Sequence, residues 1–279
     1  MTKEQLEQLL RRNGIKPNFT YGQNFLLDDI VLQDMVDDAK VSKQDAVLEI
    51  GPGIGNLTEK LCQRAGFVLS LEKDPKFFPI LHAVKKNHRD NFWFEITDAL
   101  KFNFESFFKE HGFSNYKVVA NIPYFITGKI LKMLLNAKQK PESITILMQK
   151  EVAENVIAGV GDLSILAISV QLYGEAKILY PVKARSFFPP PKVDSAVLHI
   201  ELFKKPKYDI GDEKHFFRVI KSCFAGKRKQ LHNTLVNNLH LQKSESDQIL
   251  RELKINPASR PQELSIDQWI ALAKKIPVN

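Results

Sequence analysis

The run Asp45-Ala46-Val47-Leu48-Glu49-Ile50-Gly51-Pro52-Gly53-Ile54-Gly55 constrains this chain more than any other stretch. Apolar-dominated residues lead straight into glycines, and a helical pattern follows from Asn56 to Arg64. A buried strand, a glycine turn and a helix in that order make the first βα unit of a doubly wound α/β fold. Glycine there permits a tight turn and a close approach of backbone to ligand. A dinucleotide fingerprint would place glycines at 51, 53 and 56, but position 56 is Asn and the glycine stands at 55. The turn departs from the dinucleotide pattern and by itself fits many ligands.

Three more strand ends carry polar groups. Phe67 to Leu71 reads as a second strand, ending in Glu72-Lys73-Asp74. Glu72 lies about 20 residues beyond the first glycine, where a carboxylate can accept from both ribose hydroxyls of an adenosine ligand. Asn91 to Ile96 is a third strand ending in Thr97-Asp98-Ala99, and Asp98 can accept from an adenine amino group. Val118 to Ala120 is a fourth, stopped abruptly by Asn121-Ile122-Pro123-Tyr124. Pro123 has no backbone donor and restricts Ile122 to extended conformations, so pairing ends there. Thr127 is expected to cap a helix with the apolar face Ile130, Leu131, Leu134 and Leu135. Any one of these acids is also what a solvated strand end presents, and the tyrosine alone could be packing. In succession they converge on one crevice at the carboxyl ends of the strands, where open α/β sheets bind ligands.

The rest of the chain fits around that sheet. Residues 2–12 and 29–39 read as helices, with the loop Gly22-Gln23-Asn24-Phe25-Leu26-Leu27-Asp28 between them. A strand is expected over 143–148, helices over 150–158 and 163–172, and strands over 176–182 and 196–202. Between the last two strands lies Arg185-Ser186-Phe187-Phe188-Pro189-Pro190-Pro191-Lys192-Val193-Asp194-Ser195. Its triple proline is stiff and extended, and can hold an aromatic at a cleft rim. Lys204-Lys205-Pro206-Lys207 reads as a boundary. Helices are expected beyond it over 212–225, 227–239, 244–253 and 265–275. The expected division is a catalytic domain over 1–203 and a helical, basic domain over 208–279.

Charge separates these two parts. The net charge is +8, with 25 basic and 23 acidic residues up to position 200 but 15 and 9 from 201 onward. A basic C-terminal quarter points to a polyanion, most economically nucleic acid. Lys227, Arg228 and Lys229 stand where a helix start is expected, against the dipole preference, which suggests a use such as phosphate contact about as readily as a merely exposed basic turn. Two distant cysteines, Cys62 and Cys223, and a charged N-terminus without a signal-peptide core fit a reduced cytoplasmic protein. No apolar run approaches the ~20 residues a membrane span needs.

The segments G-Q-N-F-L-L-D, V-L-E-I-G-P-G-I-G-N-L-T, L-E-K-D, T-D-A-L, N-I-P-Y-F-I-T, F-F-P-P-P-K-V-D-S-A-V and F-A-G-K-R-K-Q-L-H-N-T-L occur in that order. Together they resemble the ribosomal RNA adenine dimethyltransferases, most of all the bacterial small-subunit branch whose loss gives kasugamycin resistance. N-I-P-Y together with P-P-P-K-V-D-S is the specific part. Gly226 and Lys227 depart from the family's bulkier or arginine residues. The resemblance implies a class I S-adenosylmethionine-dependent methyltransferase fold. That is a Rossmann-like doubly wound sheet with an antiparallel last strand, plus a small all-α C-terminal domain. It assigns S-adenosyl-L-methionine to Asn24, Leu26, Gly51, Gly53, Glu72, Asp98 and Asn121. It implies RNA contacts at Lys192, Lys227, Arg228 and Lys229, no metal, and a monomer. The implied substrate is 16S rRNA within the immature small subunit, dimethylated at two adjacent adenosines of the 3′-terminal hairpin loop.

The acceptor chemistry then assigns roles. The lone pair of adenine N6 is delocalised into the ring and must be drawn out to attack a methyl group. The Asn121 side-chain oxygen and the Ile122 carbonyl, set by Pro123, can hold its two hydrogens. Tyr124 is expected to stack on the base, with Phe187 closing the other side. Stacking contributes ~1–3 kcal/mol per base, comparable with the few kcal/mol needed to extrude a loop base. The proton can leave to water after transfer, so no general base is assigned. A nucleotide-dependent oxidoreductase would share the glycine turn but has no use for N-I-P-Y or the basic tail. A large-subunit methyltransferase of the macrolide-resistance type shares the chemistry, and a non-catalytic assembly factor is a third reading.

Overall fold

The computed structural model describes residues 1–18 and 22–277. They form two compact units. One comprises Met1–Ala153 and Gly174–Lys204, the other Glu154–Tyr173 and the chain from Lys205 onward.

The first unit is built on a seven-stranded sheet in the order β4-β3-β2-β5-β6-β9-β7. Its strands are β2 (Ala46–Ile50), β3 (Phe67–Glu72), β4 (Phe92–Ile96), β5 (Lys117–Asn121), β6 (Ser143–Gln149), β7 (Gly174–Val182) and β9 (Ser195–Leu202). Strands β2 to β6 pair in parallel, and β9, the last in the chain, pairs antiparallel with both β6 and β7. All five residues of β2 are buried, as expected of a parallel strand covered on both faces. The chain winds from β2 outward to β4, then returns to place β5 on the other side of β2. That reversal opens a crevice at the strands' carboxyl ends.

Helices α2 (Asp29–Asp38) and α3 (Asn56–Arg64) cover one side. Leu32, Met35, Val36, Leu57 and Leu61 join Val47, Val68, Val119 and Val197 in one apolar cluster. Helix α1 (Lys3–Arg12) buries Leu6 and Leu10 against Phe25, Ile54, Phe77 and Leu81. Helices α4 (Phe78–Asn87) and α5 (Phe104–Glu110) complete the alternation, although the sequence reading assigns neither. Helix α4 carries Pro79 as its second residue, and the phenylalanine-rich α5 is seven residues long, too short for periodicity to separate helix from strand. Helix α6 (Thr127–Asn136) buries the expected Ile130, Leu131, Leu134 and Leu135. Thr127 is not its cap, however. Ile126 holds that position, and the Thr127 hydroxyl donates back to the Pro123 carbonyl at 3.4 Å.

The second unit departs from the expected boundaries. Helix α7 (Lys150–Ile157) crosses from one unit to the other. Helix α8 (Ile165–Tyr173), assigned above to the catalytic domain, belongs with α9 (Glu213–Phe224), α10 (Leu231–Leu239), α11 (Lys243–Glu252) and α12 (Ile266–Lys275). The reason is packing: Ala167, Ile168 and Leu172 share an apolar core with Phe216, Ile220, Leu250 and Trp269. The cations at 227–229 are also placed differently. Helix α10 starts only at Leu231, so they occupy the exposed turn that follows α9. The turn begins at the carboxyl end of α9, which favours positive charge, and ends with Lys229 just before the cap of α10, which does not. Among the described residues, no helix is long and apolar enough to cross a membrane.

Candidate active site

The crevice encloses about 1080 Å³, counting space open to solvent, and is lined by the ends of β2 to β5 and the 22–26 loop. Its floor is the glycine turn. Gly53 adopts a φ of +53°, a left-handed conformation that strains any L side chain, and a Cβ there would meet the Phe25 ring at 3.3 Å. The backbone N–H of Gly53 donates to Glu72 Oε2 at 3.0 Å, and that of Asp74 donates to Oε1 at 2.8 Å. Burial pushes the Glu72 carboxyl above the usual carboxylate range, and these N–H donors pull against it. A carboxylate offers about four lone-pair sites, so Glu72 can serve both N–H groups and still accept from a ligand.

Asp98, at the end of β4, accepts from the Leu100 N–H at 3.0 Å and from Lys73 Nζ at 2.9 Å. The Lys73 hydrogen bond holds its carboxyl below the usual range, so it is an anion at neutral pH. The 22–26 loop is latched across the crevice. Gln23 Nε2 donates to Asp74 Oδ2 at 3.1 Å, and Asn56 Nδ2 donates to the Leu26 carbonyl at 3.3 Å. That second bond gives a reason for Asn at 56, where a dinucleotide turn would have glycine.

At the end of β5, Asn121 Nδ2 faces the Asn24 carbonyl at 3.5 Å. This orients the side-chain amide and leaves Oδ1 as its acceptor. Pro123 has φ −54° and ψ 130°, after which the chain turns into the 3₁₀ segment Tyr124–Ile126. Ile122 is buried, whereas Asn121, Pro123 and Tyr124 are half-buried and line the same crevice as Gly51, Glu72 and Asp98. The Tyr124 hydroxyl and Ser195 Oγ lie 2.6 Å apart.

Most of the expected site residues are thus brought together, and Phe187 is not. Its side chain is 4% exposed and packs with Leu32, Val182 and Val197 beneath the loop. It pairs with Leu26 across the short antiparallel ribbon of β1 (Phe25–Leu26) and β8 (Phe187–Phe188), which fixes its inward direction. It does not line the crevice as the opposite stacking wall. Lys192, Lys227, Arg228 and Lys229 are exposed and also lie outside its lining. Sequence reasoning missed Asn56, Phe77, Ala99 and the Gln23–Asp74 latch. Phe77 and Ala99 carry no signal beyond their nearness to Glu72 and Asp98, whereas Asn56 stands where the dinucleotide pattern has its third glycine.

The ribosomal RNA adenine dimethylase profile matches residues 14–277. The chain belongs to that family. Ribosomal RNA small subunit methyltransferase A of Clostridium botulinum (strain Okra / Type B1) is 38% identical over 265 residues, covering 94% of this chain and 95% of that protein. The protein of the same name from Dehalococcoides mccartyi (strain CBDB1) is 36% identical, covering 95% and 90%. Among solved structures, a dimethyladenosine transferase from Plasmodium falciparum superposes with a TM-score of 0.75 at 25% identity, over 89% of this chain and 95% of that one. The 23S rRNA methyltransferase ErmE superposes with a TM-score of 0.69 at 25% identity, over 91% and 99%. As an rRNA adenine dimethylase, this chain is an S-adenosylmethionine-dependent methyltransferase with the class I fold. Its crevice fits that cofactor: a glycine turn open to close approach, a buried acceptor at Glu72, an anion at Asp98, and apolar walls from Phe77 and Ala99. Among the described residues, no group of three or more His, Cys, Asp or Glu could hold a metal ion.

Proposed function

We propose that this crevice dimethylates N6 of two adjacent adenosines in the 3′-terminal hairpin loop of 16S rRNA, acting on the immature small ribosomal subunit. The cofactor supplies a methyl group on a sulfonium, already activated for transfer. The observation that carries the reading is the placement of Asn121, Ile122 and Tyr124 on the end of β5, in the same crevice as Gly51, Glu72 and Asp98. Gly51, Gly53, Glu72, Asp98, Asn24 and Leu26 hold the cofactor. Asn121 Oδ1 and the Ile122 carbonyl take the two N6 hydrogens, which turns the nitrogen lone pair toward the donor. Tyr124 stacks on the base. Holding two reactants in line can supply ~7–11 kcal/mol of barrier lowering, so positioning is the main task of these residues. The exposed Lys192, Lys227, Arg228 and Lys229 contact RNA phosphates. The enzyme acts as a monomer, without a metal, in the cytoplasm.

A large-subunit substrate is the second reading, favoured by the likeness to ErmE. The small-subunit reading is better supported, because the relatives at 36–38% identity carry the small-subunit name. Incubation with undermethylated small subunits and tritiated S-adenosylmethionine tests it. Label is expected in two adjacent adenosines of the 3′ hairpin; label confined to 23S rRNA overturns the reading.

A further inference from the structure

We infer that Ser195 is a positioning residue for methyl transfer, holding the Tyr124 ring ready for the adenine before substrate arrives. This rests on the reading of Tyr124 as the stacking platform. The hydroxyls of Tyr124 and Ser195 share a hydrogen bond of 2.6 Å. Ser195 is fully buried and opens β9, paired with Gln149 of β6 on one side and Val182 of β7 on the other. The preceding Asp194 fastens the same strand end. Its carbonyl accepts from the Lys150 N–H at 3.1 Å, and its carboxylate accepts from the Ala184 N–H at 3.0 Å and Lys183 Nζ at 2.9 Å. Ser195 Oγ is therefore a fixed point of the sheet.

The other end of the tyrosine is fixed as well. Its Cα follows Pro123 in the 3₁₀ segment Tyr124–Ile126. A tyrosine side chain turns about two torsions. Holding its backbone and its hydroxyl fixes the first torsion and the line along which the ring lies, since the hydroxyl oxygen stands on the axis of the second, and the ring so placed lines the crevice. The placement of the platform is thus settled on folding, and an encounter with substrate has only to set the turn of the ring about its own axis. This accounts for a tyrosine where phenylalanine would stack as well: the hydroxyl is a handle. It also joins the two most distinctive segments of the chain, N-I-P-Y and P-P-P-K-V-D-S, in one device.

A buried hydroxyl satisfied for stability alone would leave turnover untouched, and that separates the two accounts. Ser195→Ala, Tyr124→Phe, their double variant and Tyr124→Ala are assayed on undermethylated small subunits, with S-adenosylmethionine affinity measured by calorimetry. Ser195→Ala and Tyr124→Phe are each expected to lower kcat by roughly 10-fold, and the double variant no further, with cofactor affinity unchanged. Wild-type kcat in Ser195→Ala, or losses that add in the double variant, overturns the inference. If Tyr124→Ala is nevertheless severely impaired, the stacking role survives that failure. If Tyr124→Ala turns over normally, stacking and positioning both fall. Should Ser195→Ala not fold, Tyr124→Phe breaks the same bond from the crevice side and decides alone.

Discussion

The crevice and the helical unit handle polar groups in opposite ways. In and beside the crevice, three carboxyls are buried and matched atom by atom. Glu49 is 1% exposed, accepts from the Thr58 hydroxyl at 2.7 Å and the Ser70 hydroxyl at 2.6 Å, and lies near enough to Glu72 to feel its charge. Glu72 and Asp74 are likewise buried and bonded to the backbone of the turn they stabilise. The helical unit instead displays its cations, Lys227, Arg228 and Lys229, in an exposed turn. Under the function proposed above, the difference is a division of labour. A methyl transfer needs fixed geometry, which side chains held by several bonds each provide. Phosphate recognition needs charge within reach, which an exposed turn provides at little cost in stability.

The sharpest way to break this contrast is Asn121→Ala. If the crevice acts by geometry, loss of one acceptor of the N6 hydrogens should lower kcat by about 100- to 1000-fold, as removal of one positioned polar group does elsewhere. Dimethylation near the wild-type rate, in a tritiated-methyl assay, would remove Asn121 from the mechanism. Tyr124→Ala comes next, with a loss of ~10- to 100-fold in rate that corresponds to the stacking of one base. Cofactor affinity by calorimetry should stay level; an equal loss there would make Tyr124 structural.

Glu49 sharpens the comparison through pH. Burial pushes its carboxyl up to about 7 from 4.5, with the Ser70 and Thr58 hydroxyls pulling it down and Glu72 pushing it further up. A raised carboxyl keeps its proton in the folded chain after the unfolded chain has released it. Its contribution to stability is therefore full below about pH 4.5 and is lost as pH rises through about 7, on the order of 3 kcal/mol in all. Glu49→Gln preserves the shape and the acceptor for both hydroxyls. It should flatten that part of the stability profile in denaturant titrations at pH 5 and pH 8. An unchanged profile would assign the slope to other groups. The smallest effect is expected in the helical unit. Neutralising Lys227, Arg228 or Lys229 should lower the slope of log affinity against log salt by about one per lost phosphate contact, with kcat at saturating RNA intact. A constant slope would exclude that turn from the RNA interface.

The strands and their functional ends were legible because parallel strands are continuous apolar runs and stop at conspicuous residues. Glu72, Asp98 and Asn121 each follow such a run directly, and the sheet brings all three into one crevice. Helices α4 and α5 were not assigned from sequence; α5 is a short segment rich in phenylalanine with no clear period, and α4 buries only Ile80, Leu81 and Val84 of its ten residues. Phe187 shows a different limit. In Phe187-Phe188 the sequence presents two equivalent rings, and only pairing with Leu26 sends the first of them inward.

By itself, the order of residues determined the doubly wound sheet, the placement of its ligand-facing ends and the basic character of the C-terminal quarter. These are local properties: period, glycine and proline conformation, and summed charge. Tertiary structure decided the rest. It assigned α8 to the helical core, moved three cations into a turn, buried Phe187 and joined Tyr124 to Ser195 across 71 positions of the chain. Such contacts depend on which surfaces meet when the sheet closes, and no local pattern encodes a distance between residues so far apart in sequence.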